Sequence, residues 1–367
     1  MNSIEEIVAE VRNGRMVVIM DDETRENEAD LIMAAETATP EAIAFFVRYT
    51  SGIICQPMLR ERLQELRLPQ MVPENTESHR TAFTISVDFR QGTTTGISAH
   101  DRAKTIRALA DPGAQPDDFA RPGHIFPLRY TEGGVLCRAG HTEATVDLVR
   151  LAGFRSHTGI LCEIVNDDGT MKRGPQLLEF AGAHNLKVGT IADLIRYRLK
   201  KERSVERISD QAVETEFGPF RMFCYEDHVN RDVHIALVRG DLDGKSPPLV
   251  RVHLTDTLRD VIGIRGDRGW PLRDALRRIA EEGSGVVVIL RQAETPRDLV
   301  EALRTIDASK AGGARHEGSR VLRTYGIGAQ ILQDLGVTRM RVLSAPRQMV
   351  AISAFDLEIT EYVDSES

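Results

Sequence analysis

The sequence predicts two successive domains, each mixing helices with strands. Three observations lead there. The chain has 367 residues, the length of two ordinary domains. Short β-branched apolar runs alternate with helical patterns along both halves. Between the halves lies residues 198–211, RLKKERSVERISDQ, a charged and turn-poor segment that reads as a helix tail and linker.

Composition narrows the function classes. A hydrophobic content of 41% suffices for real cores. A net charge of -8 and a pI near 5.8 argue against nucleic acid or an anionic membrane as the main partner. No apolar run approaches a membrane span, and no basic-plus-apolar leader is read at the start. Cys55, Cys137, Cys162 and Cys224 are scattered without a CxxC pair, as expected of reduced thiols in a soluble cytoplasmic protein.

The elements follow in order. Ser3 and Glu6 form a capping box for a helix over residues 3–14, with Ile4, Ile7, Val8 and Val11 on one face and Gly14 as its stop. Met16 to Met20 is a buried strand, and after an acidic loop the chain returns to apolar Leu31-Ile32-Met33. Thr39 and Pro40 start a helix that runs to about Thr50. Gly52 to Cys55 and Phe83 to Asp88 read as strands, and Ala99 to Ala110 as a helix with Asp101 in its first turn. Arg121-Pro122-Gly123-His124 reads as a turn, and Gly133 to Cys137 as a short strand. A helix begins near His141 and ends at Gly153, a strand spans Gly159 to Val165, and 166–170 is a turn.

Four stretches carry chemistry. Asp21, Asp22, Glu23, Glu26, Glu28 and Asp30 put six carboxylates within ten residues at the mouth of a buried strand. They repel one another unless a cation sits among them. A hard divalent ion with oxygen ligands is the simplest candidate, and a solvated acidic turn is the alternative. Arg25 among the acids suits a phosphate or sugar oxygen. The loop Gly92 to Ser98 joins hydroxyls and amides to a helix N-terminus, either an anion site or a polar turn with a Ser98 cap. His141 and Thr142 stand at another helix N-terminus beside Arg138, where a phosphate clamp and a metal-ligating imidazole are both chemically reasonable. Glu163, between Cys162 and Ile164, is placed as a partly buried general acid or base, or as the partner of an arginine. His124 is by itself a structural histidine or a catalyst. The class of reaction these residues suit is Mg2+-assisted chemistry on a small sugar phosphate.

The segments DDETRENEADLI, SGIICQPM, TTTGISAHDRA, RPGHIFPLR, GVLCRAGHTEATVDLVRLAG and GILCEIVNDDGTM together resemble 3,4-dihydroxy-2-butanone 4-phosphate synthase of riboflavin biosynthesis, over about residues 1–200. The resemblance implies an α+β fold, a homodimer, and conversion of ribulose 5-phosphate to 3,4-dihydroxy-2-butanone 4-phosphate and formate with Mg2+ or Mn2+. It implies Glu26 and His141 as metal ligands. Arg25, Glu26, Asp30, Thr95, Glu163 and the run Arg138, Ala139, Gly140, His141 and Thr142 become substrate contacts, with Arg138 and Thr142 placed for the phosphate. His124 and Glu163 become the proton-transfer residues, and Asp21, Glu28 and Cys55 further active-site positions.

The second half reads as an independent α/β domain over residues 212–367, after a linker at 201–211. Its expected strands are 213–217 and 220–223, a hairpin across Gly218-Pro219, then 234–238, 249–253 and 285–290, with helices near 271–282 and 326–335. HIALVRGDLDG, LVRVH, ALRRIAEEGSGVVVILRQ and RTYGIGAQILQDLGV resemble GTP cyclohydrolase II. That family's zinc site uses three cysteines. Here LTDTLRDVIGIRGDRGW contains none, with Asp256, Gly266 and Arg268 near the ligand positions, and Cys224 is the half's only cysteine. The phosphate segment reads Ala293-Glu294-Thr295-Pro296, Val321 stands two before Arg323 and Tyr325 follows it, and Ser344 to Gln348 replaces a TNNPxK-like segment. The expectation is a retained fold without zinc or cyclohydrolase activity, serving dimer stability or regulation. A bifunctional enzyme and a non-catalytic sugar-phosphate sensor are the other readings, and the intact set Glu26, His124, His141 and Glu163 argues against the sensor.

Overall fold

The computed structural model describes residues 1–21, 26–229, 231–242, 246–264, 269–291, 299–300, 303, 318–344 and 357–364, with the side chains of 318–325 excepted. The chain divides into two compact units, Met1–Tyr197 and Arg198–Ser367. Both are mixed sheets packed with helices. No described helix is long and apolar enough to cross a membrane.

The first unit is a seven-stranded sheet between two helical layers. Its strands are β1 (Val17–Met20), β2 (Ala29–Ala34), β3 (Cys55–Met58), β4 (Val87–Phe89), β5 (Phe119–Arg129), β6 (Gly159–Glu163) and β7 (Lys187–Thr190), in the order β4-β5-β3-β6-β2-β1-β7. Seven helices punctuate them: α1 (Ile4–Arg12), α2 (Pro40–Tyr49), α3 (Arg60–Glu65), α4 (Ala99–Ala110), α5 (His141–Leu151), α6 (Pro175–Ala183) and α7 (Ile191–Lys201). Alternation along the strands sends successive side chains to opposite faces. Val18, Leu31, Met33, Ile160 and Cys162 therefore share a core with Ile43 and Phe46 of α2, Ile106 and Leu109 of α4, and Phe180 of α6. On the opposite face α1 packs against α5, and α5 lies over β2, β3 and β6. Gly159 and Gly189 let these helices approach: an added Cβ would lie 2.6 Å from Thr145 at one and 3.1 Å from Ile7 at the other.

Local signals hold where they are backed by caps. Ser3 and Glu6 form the reciprocal capping box, Thr39 caps α2 ahead of Pro40, and Ser98 caps α4. Several expectations are corrected. The strand expected at Gly52 to Cys55 starts at Cys55 and continues to Met58. The strand expected at Phe83 to Asp88 is reduced to Val87–Phe89, with residues 83 and 84 in isolated bridges. Gly133 to Cys137 is a 3-10 turn, Gly134–Leu136, because Gly133 and Gly134 both take positive φ. Arg121 to His124 is not a turn but part of the eleven-residue β5. Gly123 makes that possible, since a Cβ there would lie 2.0 Å from the Val87 carbonyl carbon in β4.

The second unit is another seven-stranded mixed sheet. Its strands are β8 (Val205–Thr215), β9 (Gly218–Asp227), β10 (Asp232–Arg239), β11 (Leu249–Leu254), β12 (Gly285–Leu290), β13 (Arg339–Leu343) and β14 (Glu358–Val363), ordered β14-β13-β11-β12-β10-β9-β8. α8 (Leu272–Glu282) buries Ala275, Leu276 and Ile279 against Phe220, Leu237 and Val287, while α9 (Gly318–Asp334) brings Gly328 against Val252 and Leu290. The expected linker at 201–211 is mostly strand, since α7 reaches Lys201 and β8 starts at Val205. Charged side chains at 206–210 suit an exposed edge strand as well as a linker, which is why sequence alone misplaces them. The hairpin turns at Glu216 and Phe217, two residues before the expected Gly218-Pro219.

Gly123→Ala is expected to destabilise the protein by about 1–3 kcal/mol, because the new Cβ meets backbone that a rotamer change cannot move. Thermal unfolding of the full chain beside the parent checks this. An unchanged midpoint would show that β4 and β5 separate at little cost.

Candidate active site

Strand register assembles the site at one end of the first sheet. Ile19 of β1 pairs with Asp30 of β2, and Asp30 pairs with Glu163 of β6. Cys55 of β3 pairs with Leu161 of β6 and with Phe126 of β5. Continuing those registers by two residues puts His124 in the row of Glu163, two strands away, roughly 10 Å at ordinary strand spacing. Residues distant in sequence thus share one sheet end.

The acidic loop closes on itself above that end. The Asp21 amide donates to the Glu28 carbonyl at 3.0 Å, and the Glu26 amide donates to Asp21 Oδ2 at 3.2 Å. This turns Asp21 and Glu26 toward His141, the first residue of α5. One ligand atom from each of Asp21, Glu26 and His141 lies within 4.8 Å of the others, the one such group among the described residues. His141 Nε2 donates to the Ile19 carbonyl at 3.1 Å, since a carbonyl can only accept. Its Nδ1 is left facing Glu26 at 3.7 Å and Asp30 at 3.8 Å. That is how a metal-ligating histidine is oriented, one nitrogen anchored and the other offered.

The electrostatics suit a cation. Asp30 is only 2% exposed, and its Oδ1 accepts no hydrogen bond. Burial pushes its carboxyl up to about 8, against the pull of His141 and with help from Glu163, Glu26 and Glu28. Burial would lower the His141 imidazole, but the Asp30 and Glu26 carboxylates raise it to about 9. Protons therefore hold the place of positive charge in a pocket of oxygen donors and one imidazole. A divalent cation fits that donor set.

His124 is held by a residue that sequence reasoning did not single out. A bulge between Val87 and Asp88 turns the Asp88 carboxylate onto it. Asp88 Oδ1 accepts the His124 amide at 2.9 Å, and Oδ2 lies 2.6 Å from His124 Nδ1. The imidazole is fixed with Nε2 outward. Gly96 (φ +86°) packs on the same carboxylate, its would-be Cβ 2.0 Å from Asp88 Oδ2, which sets Thr95 beside the pair. No sequence signal marks Asp88, because the pairing depends on an irregular register.

The anion loops differ from expectation. Around Gly92 to Ser98 several donors turn inward: the Thr94 amide and hydroxyl and the Gly96 amide all donate to Asp101, at 3.1, 2.7 and 3.2 Å. The Thr94 hydroxyl and these amides hold the Asp101 carboxyl below its ordinary range. This is an internal turn with the Ser98 cap. Arg138 is also engaged: Nη1 donates to Glu143 Oε2 at 2.7 Å, and Nη2 to the His79 carbonyl and Thr81 Oγ1 at 3.1 and 3.2 Å. Of five guanidinium donors, two are left to meet a phosphate. Gly140 permits the arrangement, since a Cβ would lie 2.4 Å from Arg138 Nη1. Ala139 and Thr142 are buried beside it.

The loop that receives Arg138 adds His79, also absent from the sequence expectations, whose Nδ1 is 3.8 Å from Glu26 Oε1. Burial works against the Glu77 carboxylate in that loop. The His79 and Thr81 amides and the Ser78 hydroxyl outweigh it and bring Glu77 to about 2. Glu28 is turned away, its Oε1 3.2 Å from Arg173. Cys55 is 3% exposed, and burial raises its thiol well above the ordinary range, so it is a neutral wall of the site rather than a nucleophile. Arg25 lies outside the described residues.

The first unit matches the 3,4-dihydroxy-2-butanone 4-phosphate synthase family over residues 5–197, and the second matches GTP cyclohydrolase II over residues 206–364. The chain belongs to the 3,4-dihydroxy-2-butanone 4-phosphate synthases of riboflavin biosynthesis, with a C-terminal GTP cyclohydrolase II domain. A 3,4-dihydroxy-2-butanone 4-phosphate synthase of Pseudomonas aeruginosa is 49% identical over 366 residues, covering 100% of both chains. A crystal structure of a two-domain 3,4-dihydroxy-2-butanone 4-phosphate synthase from A. baumannii superposes with a TM-score of 0.84 at 40% identity, over 99% of each chain. A crystal structure of a 3,4-dihydroxy-2-butanone 4-phosphate synthase in complex with two magnesium ions is 49% identical, with a TM-score of 0.52, over 54% of this chain and 96% of that one.

Asp88→Asn is expected to lower kcat by up to about 100-fold with KM little changed, since the amide no longer fixes the His124 tautomer. Steady-state kinetics with formate as the product check it. An unchanged kcat would separate His124 from proton transfer or from Asp88.

Proposed function

We propose that the chain converts D-ribulose 5-phosphate to 3,4-dihydroxy-2-butanone 4-phosphate and formate, using Mg2+ or Mn2+ held by Glu26, His141 and Asp21. The observation that carries this is the convergence of those three side chains beside the Asp30–Glu163 pair. The reaction is an internal redox rearrangement. One carbon leaves at the level of formate while the rest keeps a ketone, so atoms and electrons balance without an external oxidant.

Held by Glu26, His141 and Asp21, a divalent cation would supply positive charge for developing negative charge on the ketose oxygens. Glu163 removes a proton from a carbon next to the carbonyl. Asp30, beside it in the register, orients the substrate hydroxyls. His124, fixed by Asp88, carries protons through its free Nε2 during the skeletal shift. The N-terminus of α5, with Thr142 and the two remaining Arg138 donors, receives the phosphate. Arg25 joins the substrate contacts on the family resemblance alone. Both proton-transfer groups are intact, which favours an enzyme over a sugar-phosphate sensor.

The second domain is proposed to lack GTP cyclohydrolase II activity and zinc. Cys224, its only cysteine, lies in β9. Asp256 spends its carboxylate as a cap, accepting the Leu258 and Arg259 amides at 3.0 and 3.2 Å. His253 is engaged with both oxygens of Asp260, at 2.9 and 3.0 Å. Gly266 and Arg268, with the segments 293–296 and 345–348, lie outside the described residues. A homodimer, on the resemblance, and a cytoplasmic location, on the scattered cysteines, complete the proposal.

The deciding experiment is a paired assay on the full-length chain. Ribulose 5-phosphate with Mg2+ is expected to release formate, and a chelator or Glu26→Gln to abolish it. GTP with Zn2+ is expected to give neither formate nor pyrophosphate. Turnover of GTP would make the chain bifunctional, and silence in both tubes would favour the sensor.

Metal affinity is expected to depend on pH. A proton on His141, raised to about 9, must leave before Nδ1 can bind a cation. Lowering the pH from 9 to 7 therefore favours the proton and weakens Mn2+ binding, by up to about tenfold per unit. Calorimetric titration in buffers of different ionisation enthalpy reads the released proton. A pH-independent affinity would remove His141 from the ligands.

A further inference from the structure

Glu163 ends β6, and its carboxylate is held from the chain just after α2. Ser51 meets it twice. The Ser51 amide donates to the Glu163 carbonyl at 2.8 Å, and Ser51 Oγ donates to Glu163 Oε2 at 2.7 Å. The first contact continues the bridge between Thr50 and Ile164 and belongs to the backbone. The second is a side-chain bond whose one proton is committed to one carboxylate oxygen. A hydrogen bond to a charged acceptor is short and strong, and it fixes the torsion of the side chain that accepts it.

The surroundings leave that hydroxyl little other choice. Its Oγ lies 3.3 Å from Cys162 Sγ, which is also 3.3 Å from the Ile53 carbonyl. Burial pushes the Cys162 thiol up to about 12, so the sulfur is a neutral neighbour and does not compete for the Ser51 proton as an anion. Cys162 stands 3.9 Å from Oε2, beyond a strong contact. Among the described residues, Ser51 is the near donor to Oε2.

We propose that Ser51 is a positioning residue for Glu163, its hydroxyl holding Oε2 so that Oε1 is the oxygen presented to the substrate's carbon-bound proton. This rests on the reading of Glu163 as the base. The hydroxyl does not touch the reacting atoms; it removes the freedom of the carboxylate to turn its two oxygens about. Because the Ser51 amide bond survives truncation of the side chain, Ser51→Ala isolates the hydroxyl.

The test uses the full-length chain with ribulose 5-phosphate and Mg2+, comparing Ser51→Ala, Ser51→Thr and Glu163→Gln with the parent. Ser51→Ala is expected to lower kcat about 10- to 100-fold, the range of a hydrogen bond to a charged group, with KM within about twofold. Ser51→Thr, which keeps the hydroxyl on an exposed position, is expected to recover most of that loss. Substrate deuterated next to the carbonyl is expected to show a larger isotope effect on kcat in Ser51→Ala than in the parent, a readout that a general loosening of the fold does not move. An unchanged kcat in Ser51→Ala, or Ser51→Thr no better than alanine, would overturn the positioning role. Full activity in Glu163→Gln would instead overturn the reading of the base itself, so the two failures are distinguishable.

Discussion

Burying Asp30 beside Glu163, and within reach of Glu26, is the constraint on which the site depends. Like charges at adjacent register positions of a buried sheet end are costly, and the chain relieves that cost by placing His141 among them. His141 is itself held awkwardly: it is buried and opens a helix, where the positive end of the dipole disfavours an imidazolium. Neither protonated arrangement is ideal, so the pocket gains from any partner that brings positive charge without needing a proton. The proposed affinity for a divalent ion follows from that electrostatics.

That view separates the site into two kinds of support. The proposed metal ligands come from a short loop and a helix N-terminus, joined by the Asp21 and Glu28 backbone contact and the Ile19 carbonyl. The side chains proposed for proton transfer sit on strands, where the sheet sets their separation. His124 and Glu163 each receive a fixed partner, Asp88 in one case and Ser51 in the other. In the proposed mechanism, loop and helix decide where charge is neutralised, and the sheet decides where protons travel.

Much of this was legible in the sequence and some was not, for identifiable reasons. Ser3, Thr39 and Ser98 announced their helices because a cap acts within four residues. The acidic loop and the Arg138 to Thr142 run stood out because their chemistry is dense along the chain. Asp88, Ser51 and His79 did not stand out, because each is defined by a partner 36, 112 or 53 residues away across a register or loop that no local pattern encodes. Arg121 to His124 read as a turn because Pro and Gly dominate local statistics. In β5 they are tolerated at the edge pairing with β4, where Gly123 has a specific steric task. The donors of the Gly92 to Ser98 loop looked free because Asp101, which uses them, was assigned only to the helix.

The second domain's fold stands on residues other than those near which the resemblance places its family's zinc ligands. Its sheet is held by Val250, Val252, Val286 and Val288 and by α8, none of which involves a zinc ligand. Asp256, which the resemblance places near one of the ligand positions, has a local task, closing the turn at 257–261. On the proposed reading of a lost zinc site, restoring a single cysteine at Asp256 removes the cap without completing a soft-ligand site, which needs its thiolates together. On that reading a return to zinc chemistry would pass through variants that lose the cap before they gain a metal.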